Sequence, residues 1–315
     1  MRYRPLGGTG LTVSEISMGC NRLGEPEQPD SHWVDLVRHA VELGVTLFDT
    51  SESYGWGRSE EILGLAVGAG SGVDPARARI ASKVSRVQAT NAKDFSAGRI
   101  VQQLEGTLRR IRRDYVDVYQ LHSPSLGDLK SFDWPEAMAR LKTAGKIRLA
   151  GVSINDAESG EWLIENGLAD TLQVAYNILE PEVGRRVFPL AQAKGVGILV
   201  RMPMAQGILT GKFEPGQEVA PGHRAHLAGA RMGRLIEQVA SLRPLAEGTG
   251  IPLGHIALRY AVSDPAVSCA IPGARTREQL EQNVAAGESG PLDPVLLARI
   301  ESIQASWASA PQSRT

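Results

Sequence analysis

Residues 45–60 read VTLFDTSESYGWGRSE. A mostly apolar run, Val45 to Phe48, ends on an acid, Asp49, and Tyr54 follows five residues later. Gly55 and Gly57 flank Trp56, and an amphipathic pattern then occupies 59–67. A short apolar run, a glycine-bearing loop and a helix make one strand–helix unit. In this reading Gly55 and Gly57 let the loop turn, and Ser59 is placed to cap the helix.

Working outward, the same unit recurs along the chain. Strands are expected at 16–19, 46–49, 80–83, 116–121, 149–152, 171–174, 197–201 and 267–271. Helical patterns fall at 33–43, 59–67, 97–111, 134–144, 158–165, 183–193, 252–263 and 278–286. Asp30 and Ser31 suit the cap of the first helix, Gly44 and Gly145 follow the first and fourth, and Pro252 suits the first turn of the seventh. Strict alternation predicts a parallel sheet. Eight units also close a (β/α)8 TIM barrel, whose typical length is roughly 250 residues. A doubly wound sheet is the competing architecture.

The 315 residues leave extra material to place. Residues 1–14 read as an N-terminal hairpin turning at Gly7-Gly8-Thr9-Gly10, set to plug the barrel floor. Residues 214–233 form an insertion after the seventh strand, 235–246 and 294–307 read as additional C-terminal helices, and 309–315 as a flexible tail. Nothing divides 1–315 into two domains: there is no charge block, repeat or Pro/Ser-rich linker. Two glycine motifs fail as nucleotide loops. Val13 stands where a dinucleotide fingerprint needs its third glycine. Gly207 to Lys212 is one residue short of a P-loop, with Phe213 in place of Ser or Thr. Both read as turns.

Composition narrows the function. Hydrophobic residues make up 42% and the formal net charge is −1, with no basic stripe to engage nucleic acid. Cys20 and Cys269 lie too far apart for a metal motif or a disulfide framework, which fits a reducing compartment. The opening MRYRPLGGTG lacks the apolar centre of a signal peptide, and no apolar run approaches the roughly 18 residues of a membrane span. The expectation is a soluble, cytoplasmic protein.

In a barrel of this kind the active site lies at the C-terminal strand ends. Asp49, Lys83, His122, Ser153 and Gln173 each close or approach the close of a mostly apolar run, and Tyr54 lies in the loop beyond Asp49. Singly, Asp49 suits a helix cap, Tyr54 a half-buried aromatic, Lys83 a solvated strand end and His122 a core histidine. Jointly they suit proton delivery. A buried ammonium lowers the pKa of a neighbouring phenol, a carboxylate keeps that ammonium charged, and a neutral imidazole orients a substrate oxygen. Tyr54 is then the acid, Lys83 its tuner, Asp49 the counter-ion and His122 the orienter of a site that protonates an alkoxide. The electron pair has no source in the protein, so a hydride-donating cofactor is required.

With those residues in hand, the chain resembles the aldo-keto reductase superfamily. Asp49, Tyr54-Gly55, Lys83 and His122 match its pattern at strands two to four. GCNRLG (19–24), GVS (151–153), QVAYN (173–177), PMAQGILTGKF (203–213) and IPGARTREQLEQN (271–283) extend the match to about residue 286. The resemblance implies NADPH-dependent reduction of an aldehyde, ketone or sugar, or the reverse oxidation, with the cofactor (NADPH/NADP⁺) lying across the barrel mouth. It implies Gly19 and Asp49 among the cofactor-binding residues, Asn21 near the nicotinamide side, and Ser153 and Gln173 on its carboxamide. Pro203, Met204, Gln206, Gly207, Leu209 and Lys212 are then at the pyrophosphate, and Gly273, Arg275, Gln279, Gln282 and Asn283 at the adenosine end. Arg275 can pair with a 2′-phosphate, and the helix beginning near Arg277 offers its N-terminus to an anion.

There are departures from the family pattern. Ser153 is followed by Ile154 and only then by Asn155. Arg201 stands where many members stack a tyrosine on the nicotinamide; a guanidinium can stack on a ring but adds charge there. Glu52, beside the Tyr54 loop, reads as solvated rather than catalytic. Tyr54, Trp56 and His122 are expected to face the substrate, with 123–131 and 214–233 as further walls. His223 and His226 lack an acidic or cysteine neighbour, so no metal is expected. Their segment, with Arg224 and Arg231, reads as a lid. Two other functions stay open: a dehydrogenase working in the oxidative direction on a sugar or alcohol, and a nucleotide-sensing regulatory subunit with little turnover. The carbonyl substrate itself and the oligomeric state are not legible.

Overall fold

The computed structural model describes residues 1–217, 227 and 229–309. The tail expected at 309–315 lies outside the described residues beyond 309, and half of the insertion (218–226 and 228) lies outside them as well.

Strands β1 (Tyr3–Pro5) and β2 (Thr12–Ser14) pair antiparallel, Arg4 opposite Val13. This is the expected hairpin, and it closes the barrel floor. Leu6 and Val13 are fully buried in one apolar cluster with Leu47, Ala81, Val118, Leu149, Leu199, Cys269 and Ile271, side chains of the strands above. At Gly7, φ is +56° and a Cβ would collide with the Gly195 carbonyl, so only glycine lets the turn lie against that backbone.

The eight barrel strands are β3 (Met18–Gly19), β4 (Leu47–Asp49), β5 (Arg79–Val84), β6 (Val116–His122), β7 (Ile147–Ser153), β8 (Thr171–Ala175), β9 (Gly197–Arg201) and β10 (Val267–Ala270). They pair in chain order, every neighbour parallel. Parallel bridges Ile16–Ala270 and Gly19–Gly273 join the last strand to the first. The sheet is a (β/α)8 barrel, and the doubly wound alternative falls away. Strands packed between an inner core and outer helices are apolar on both faces, which explains the continuous runs in the sequence.

The helices are α1 (Asp30–Glu42), α2 (Arg58–Val67), α3 (Ala97–Ile111), α4 (Leu126–Ser131), α5 (Trp134–Thr143), α6 (Ala157–Glu165), α7 (Glu182–Lys194), α8 (Ala230–Thr249), α9 (Leu253–Ala261), α10 (Arg277–Glu288) and α11 (Pro294–Ser309). Their seats follow from periodicity. In α3, for instance, Ile100, Leu104, Leu108 and Ile111 are all buried on one stripe.

Three local readings are corrected. Asp30 is the first residue of α1, not its cap; Pro29 holds the cap position with no side-chain bond. Pro252 precedes α9 as its cap residue. The short α4 was not expected, since only six residues leave no periodicity to read. A capping box nucleates it, with Ser125 and Asp128 each accepting from the other's backbone. Among the described residues, no helix is long and apolar enough to cross a membrane.

Candidate active site

The strand register brings the predicted side chains to one layer at the barrel mouth. Lys83 lies opposite Gln120, His122 opposite Ser153 and Ser153 opposite Gln173. At the centre is a buried ion pair. Lys83 Nζ donates to Asp49 Oδ2 at 2.7 Å, to the Thr50 carbonyl at 2.7 Å and to the Tyr54 hydroxyl at 3.4 Å. The remaining carboxylate oxygen, Oδ1, accepts from Gln173 Nε2 at 2.7 Å and Gln120 Nε2 at 3.3 Å. Lys83 is fully buried and Asp49 nearly so. Such a pair persists only when its other donors and acceptors are satisfied, and here two glutamines and a carbonyl do that. Gln120 escaped the sequence reading; its signal was a lone amide inside the apolar run VDVYQLH.

Burial alone would push the Lys83 ammonium down, but Asp49 and Tyr54 outweigh it and hold the group above its ordinary pKa. For Tyr54 the balance runs against expectation. Burial pushes the phenol up, Lys83 opposes it, and the net result is a raised pKa rather than the lowered one expected from sequence. The physical reason is burial, which outweighs the Lys83 ammonium, and the negative charge of Asp49 adds to the rise.

His122 lies edge-on to Tyr54, ring centroids 5.8 Å apart. Burial, then Lys83 and Arg201, push its imidazolium well below the ordinary range, so the ring is neutral at physiological pH. Its Nδ1 faces Ser51 Oγ at 3.1 Å and Ser53 Oγ at 3.5 Å.

The loop carrying Tyr54 is a strained turn. Gly55, Trp56 and Gly57 have φ of 58°, 51° and 99°. A left-handed tryptophan is uncommon, and such strain gathers at functional sites; Trp56 is also about half exposed, at 47%. At Gly57 a Cβ would meet Arg110 Cδ at 2.7 Å. Ser59 does not cap α2. The helix starts at Arg58, and Ser59 Oγ instead donates to the Cys20 carbonyl at 2.7 Å, tying the loop to the first barrel strand's exit.

Glu52 is a further correction. It is buried, not solvated, and receives Arg99 Nη2 at 2.9 Å. Burial pushes its carboxyl up to about 7, Arg99 and Arg110 opposing and Glu60 adding to the rise. A carboxyl whose folded pKa lies above its unfolded value stabilises the fold fully below the unfolded pKa, and that contribution is lost as pH rises through about 7. Glu52→Gln is therefore expected to gain on wild type between pH 5 and pH 8. Urea unfolding at both pH values checks this; a stability difference independent of pH contradicts it.

From this centre the predicted cofactor residues extend outward. Ser153 Oγ donates to Gln173 Oε1 at 3.3 Å, while the Gln173 nitrogen serves Asp49. Gln173 is thus an anchor of Asp49, a role the sequence did not reveal. Arg201 Nη2 bonds the Ile154 carbonyl and Asn155 Oδ1, each at 3.2 Å, so Asn155 holds Arg201. Arg201 Nε is buried with no partner among the described residues. The next segment carries Pro203, Met204, Gln206, Gly207, Leu209 and Lys212. Met202, Ala205, Gln206 and Gly207 all have positive φ, turning the backbone sharply beneath the mouth. The Leu209 side chain lies in the core at 1% exposure, so only its backbone can face a ligand.

Gly19 bridges Gly273, and a Cβ on Gly19 would meet the Ile271 carbonyl at 2.7 Å. Asn21 is exposed, its Oδ1 3.6 Å from the Cβ position of Gly273. At the start of α10, Gln279 Oε1 accepts from Arg275 N at 2.9 Å and Asn283 Nδ2 donates to the Gly273 carbonyl at 3.3 Å. These two side chains shape the 273–276 turn. Gln282 Nε2 donates to Glu278 Oε1 at 3.5 Å. The Arg275 side chain is half exposed, 3.9 Å from Glu25. The ensemble fits a nicotinamide dinucleotide. Polar groups surround the Tyr54 hydroxyl, a close-approach backbone leads outward, and a helix N-terminus with an arginine stands at the far end, suited to an anion. His223 and His226, weighed above as lid residues, lie outside the described residues. Among the described residues no cluster of three or more His, Cys, Asp or Glu is placed to hold a metal.

Comparison with known proteins gives the same answer as this geometry. The profile of the Aldo/keto reductase family matches residues 15–305. The aldo-keto reductase YhdN of Bacillus subtilis is 31% identical over 294 residues, covering 89% of this chain and 87% of that one. The L-galactose dehydrogenase of Arabidopsis thaliana is 28% identical over 314 residues, covering 96% and 94%. The holo form of the aldo-keto reductase AKR11C1 from Bacillus halodurans superposes with a TM-score of 0.82 at 28% identity, covering 96% of each chain. The chain belongs to the aldo/keto reductase family of oxidoreductases.

Proposed function

We propose that this enzyme reduces a small carbonyl compound (an aldehyde, ketone or sugar) to the alcohol at the expense of NADPH, with Tyr54 as proton donor. The observation that carries the reading is the Tyr54 hydroxyl, 3.4 Å from an ammonium that is itself 2.7 Å from a buried carboxylate. Bound NADPH supplies the hydride. Tyr54 and the neutral His122 hold the carbonyl oxygen, and the Tyr54 proton passes to that oxygen as negative charge develops on it. Lys83 stabilises the phenolate left behind, and Asp49 keeps Lys83 charged. Gln173 and Gln120 hold Asp49 in place.

Burial keeps Tyr54 a phenol, the form that reduction uses. Oxidation of an alcohol needs phenolate as a base, and burial disfavours phenolate; reduction needs the phenol, which an alkoxide readily deprotonates. The likeness to an L-galactose dehydrogenase supports the oxidative alternative, and the two readings separate in one assay. Purified protein is given NADPH or NADH with a panel of aldehydes, ketones and sugars, and NADP⁺ or NAD⁺ with the matching alcohols. Faster turnover of carbonyls with NADPH is expected; turnover of alcohols alone overturns the reductive reading. Two buried free thiols support a cytoplasmic setting.

The phosphate preference rests on Arg275. One charge-assisted hydrogen bond contributes about 1.5–3 kcal/mol, and its half-exposed position places the effect at the lower end. Arg275→Ala is expected to raise the KM for NADPH about tenfold and to leave that for NADH nearly unchanged. Equal loss with both cofactors contradicts the assignment.

A further inference from the structure

Neutral imidazole has one N–H donor and one bare acceptor nitrogen, and the partner of one nitrogen decides which. For His122 that partner is a pair of serines. Ser51 is fully buried, and its Oγ lies 3.1 Å from Nδ1. The same oxygen accepts the Ser53 backbone N–H at 3.3 Å and lies 3.1 Å from Ser53 Oγ. A hydroxyl has two lone pairs and one proton. If Ser53 fills the lone pairs through its N–H and O–H, the Ser51 proton has one acceptor left within reach, Nδ1. Nδ1 is then bare and the ring proton sits on Nε2, the tautomer imidazole also prefers intrinsically. The opposite tautomer would put an Nδ1–H on Ser51 Oγ and turn the Ser51 proton away from the ring onto Ser53 Oγ, reversing that hydroxyl bond.

We propose that Ser51, supported by Ser53, is a positioning residue that fixes His122 as the Nε2–H tautomer. The barrel mouth then holds two donors for one carbonyl oxygen, the Tyr54 O–H and the His122 Nε2–H. A bare Nε2 would instead repel that oxygen. Ser51 comes two residues after the counter-ion Asp49 and three before Tyr54, so one short loop carries the counter-ion, the acid and the group that sets the orienter. The consequence for turnover rests on the carbonyl-reductase reading; the tautomer itself does not.

The test separates the two. Protein labelled with ¹⁵N-histidine has six histidines, and the His122 resonances are assigned by their loss in His122→Gln. Nitrogen shifts in the apo protein near neutral pH are expected to show Nδ1 bare and Nε2 protonated. Because Ser53 Oγ stands only 3.5 Å from Nδ1 as a substitute donor, the decisive variant removes both hydroxyls, Ser51→Ala/Ser53→Ala. It is expected to shift the ring toward a tautomer mixture and to lower kcat/KM for the carbonyl about tenfold. That is less than the roughly 10²–10³-fold that follows loss of a whole oxyanion donor. NADP⁺ affinity is expected to stay within about twofold of wild type. Ser51→Thr, which restores a hydroxyl, recovers both readouts if it folds, and Ser51→Cys, with a weaker donor of similar size, falls between. A protonated Nδ1 in the wild type, or a double variant with unchanged shifts, overturns the proposal whatever the enzyme turns over.

Discussion

Tyr54→Phe is expected to lower kcat for carbonyl reduction by about 10²–10⁴-fold, the range that a positioned general acid contributes. The ring stays, so the edge contact with His122 survives and only the hydroxyl is lost. Among the described residues that hydroxyl makes a single long bond, to Lys83 at 3.4 Å, and stability should barely move. NADPH binding, followed by cofactor fluorescence, should stay within a few-fold. For the proposed reduction, no other donor of this kind stands in the layer among the described residues. His122 is neutral and placed to orient, and Lys83 is held charged by Asp49. A Phe variant that keeps full activity removes Tyr54 from the mechanism, and one that loses NADPH binding reassigns it to cofactor support.

Lys83→Met separates a structural from a chemical role for the ion pair. It leaves Asp49 buried with two amides but no counter-charge. Removing one partner of a buried pair costs about 3–5 kcal/mol, so the urea midpoint should fall clearly. Turnover should fall at least as far as in the Tyr54 variant, because the phenolate formed in the reaction loses its stabilising charge. The double variant Lys83→Met/Asp49→Asn removes the orphan charge as well. It is expected to recover much of the stability and none of the turnover. If stability and turnover recover together, the pair acts only as scaffold.

Much of this site could be read from the chain. Asp49, Lys83 and His122 each end an apolar run, and in a parallel barrel the ends of neighbouring strands converge whatever their distance in sequence. The eight-fold alternation decided the barrel for the same reason. What escaped depends on partners that only the register brings together. Glu52 looked solvated because its partner, Arg99, lies far off in sequence, on α3. Gln173 read as a cofactor ligand, yet its nitrogen is committed to Asp49 across the barrel. Ser51 is a small polar residue in a loop, and only the 3.1 Å approach to Nδ1 gives it meaning. The pKa of Tyr54 escaped for another reason. Residue types gave the opposing influences, burial and Lys83, but not which was larger.

The central claim is that a hydride from bound NADPH reaches a carbonyl carbon while Tyr54 protonates its oxygen. It is tested most directly with NADPH deuterated at both C4 positions of the nicotinamide, a carbonyl substrate from the panel, and mass spectrometry of the product. The account predicts an alcohol with one deuterium on the former carbonyl carbon, formed by wild type and only at a trace rate by Tyr54→Phe. An alcohol without deuterium, or no alcohol from any carbonyl, would contradict it.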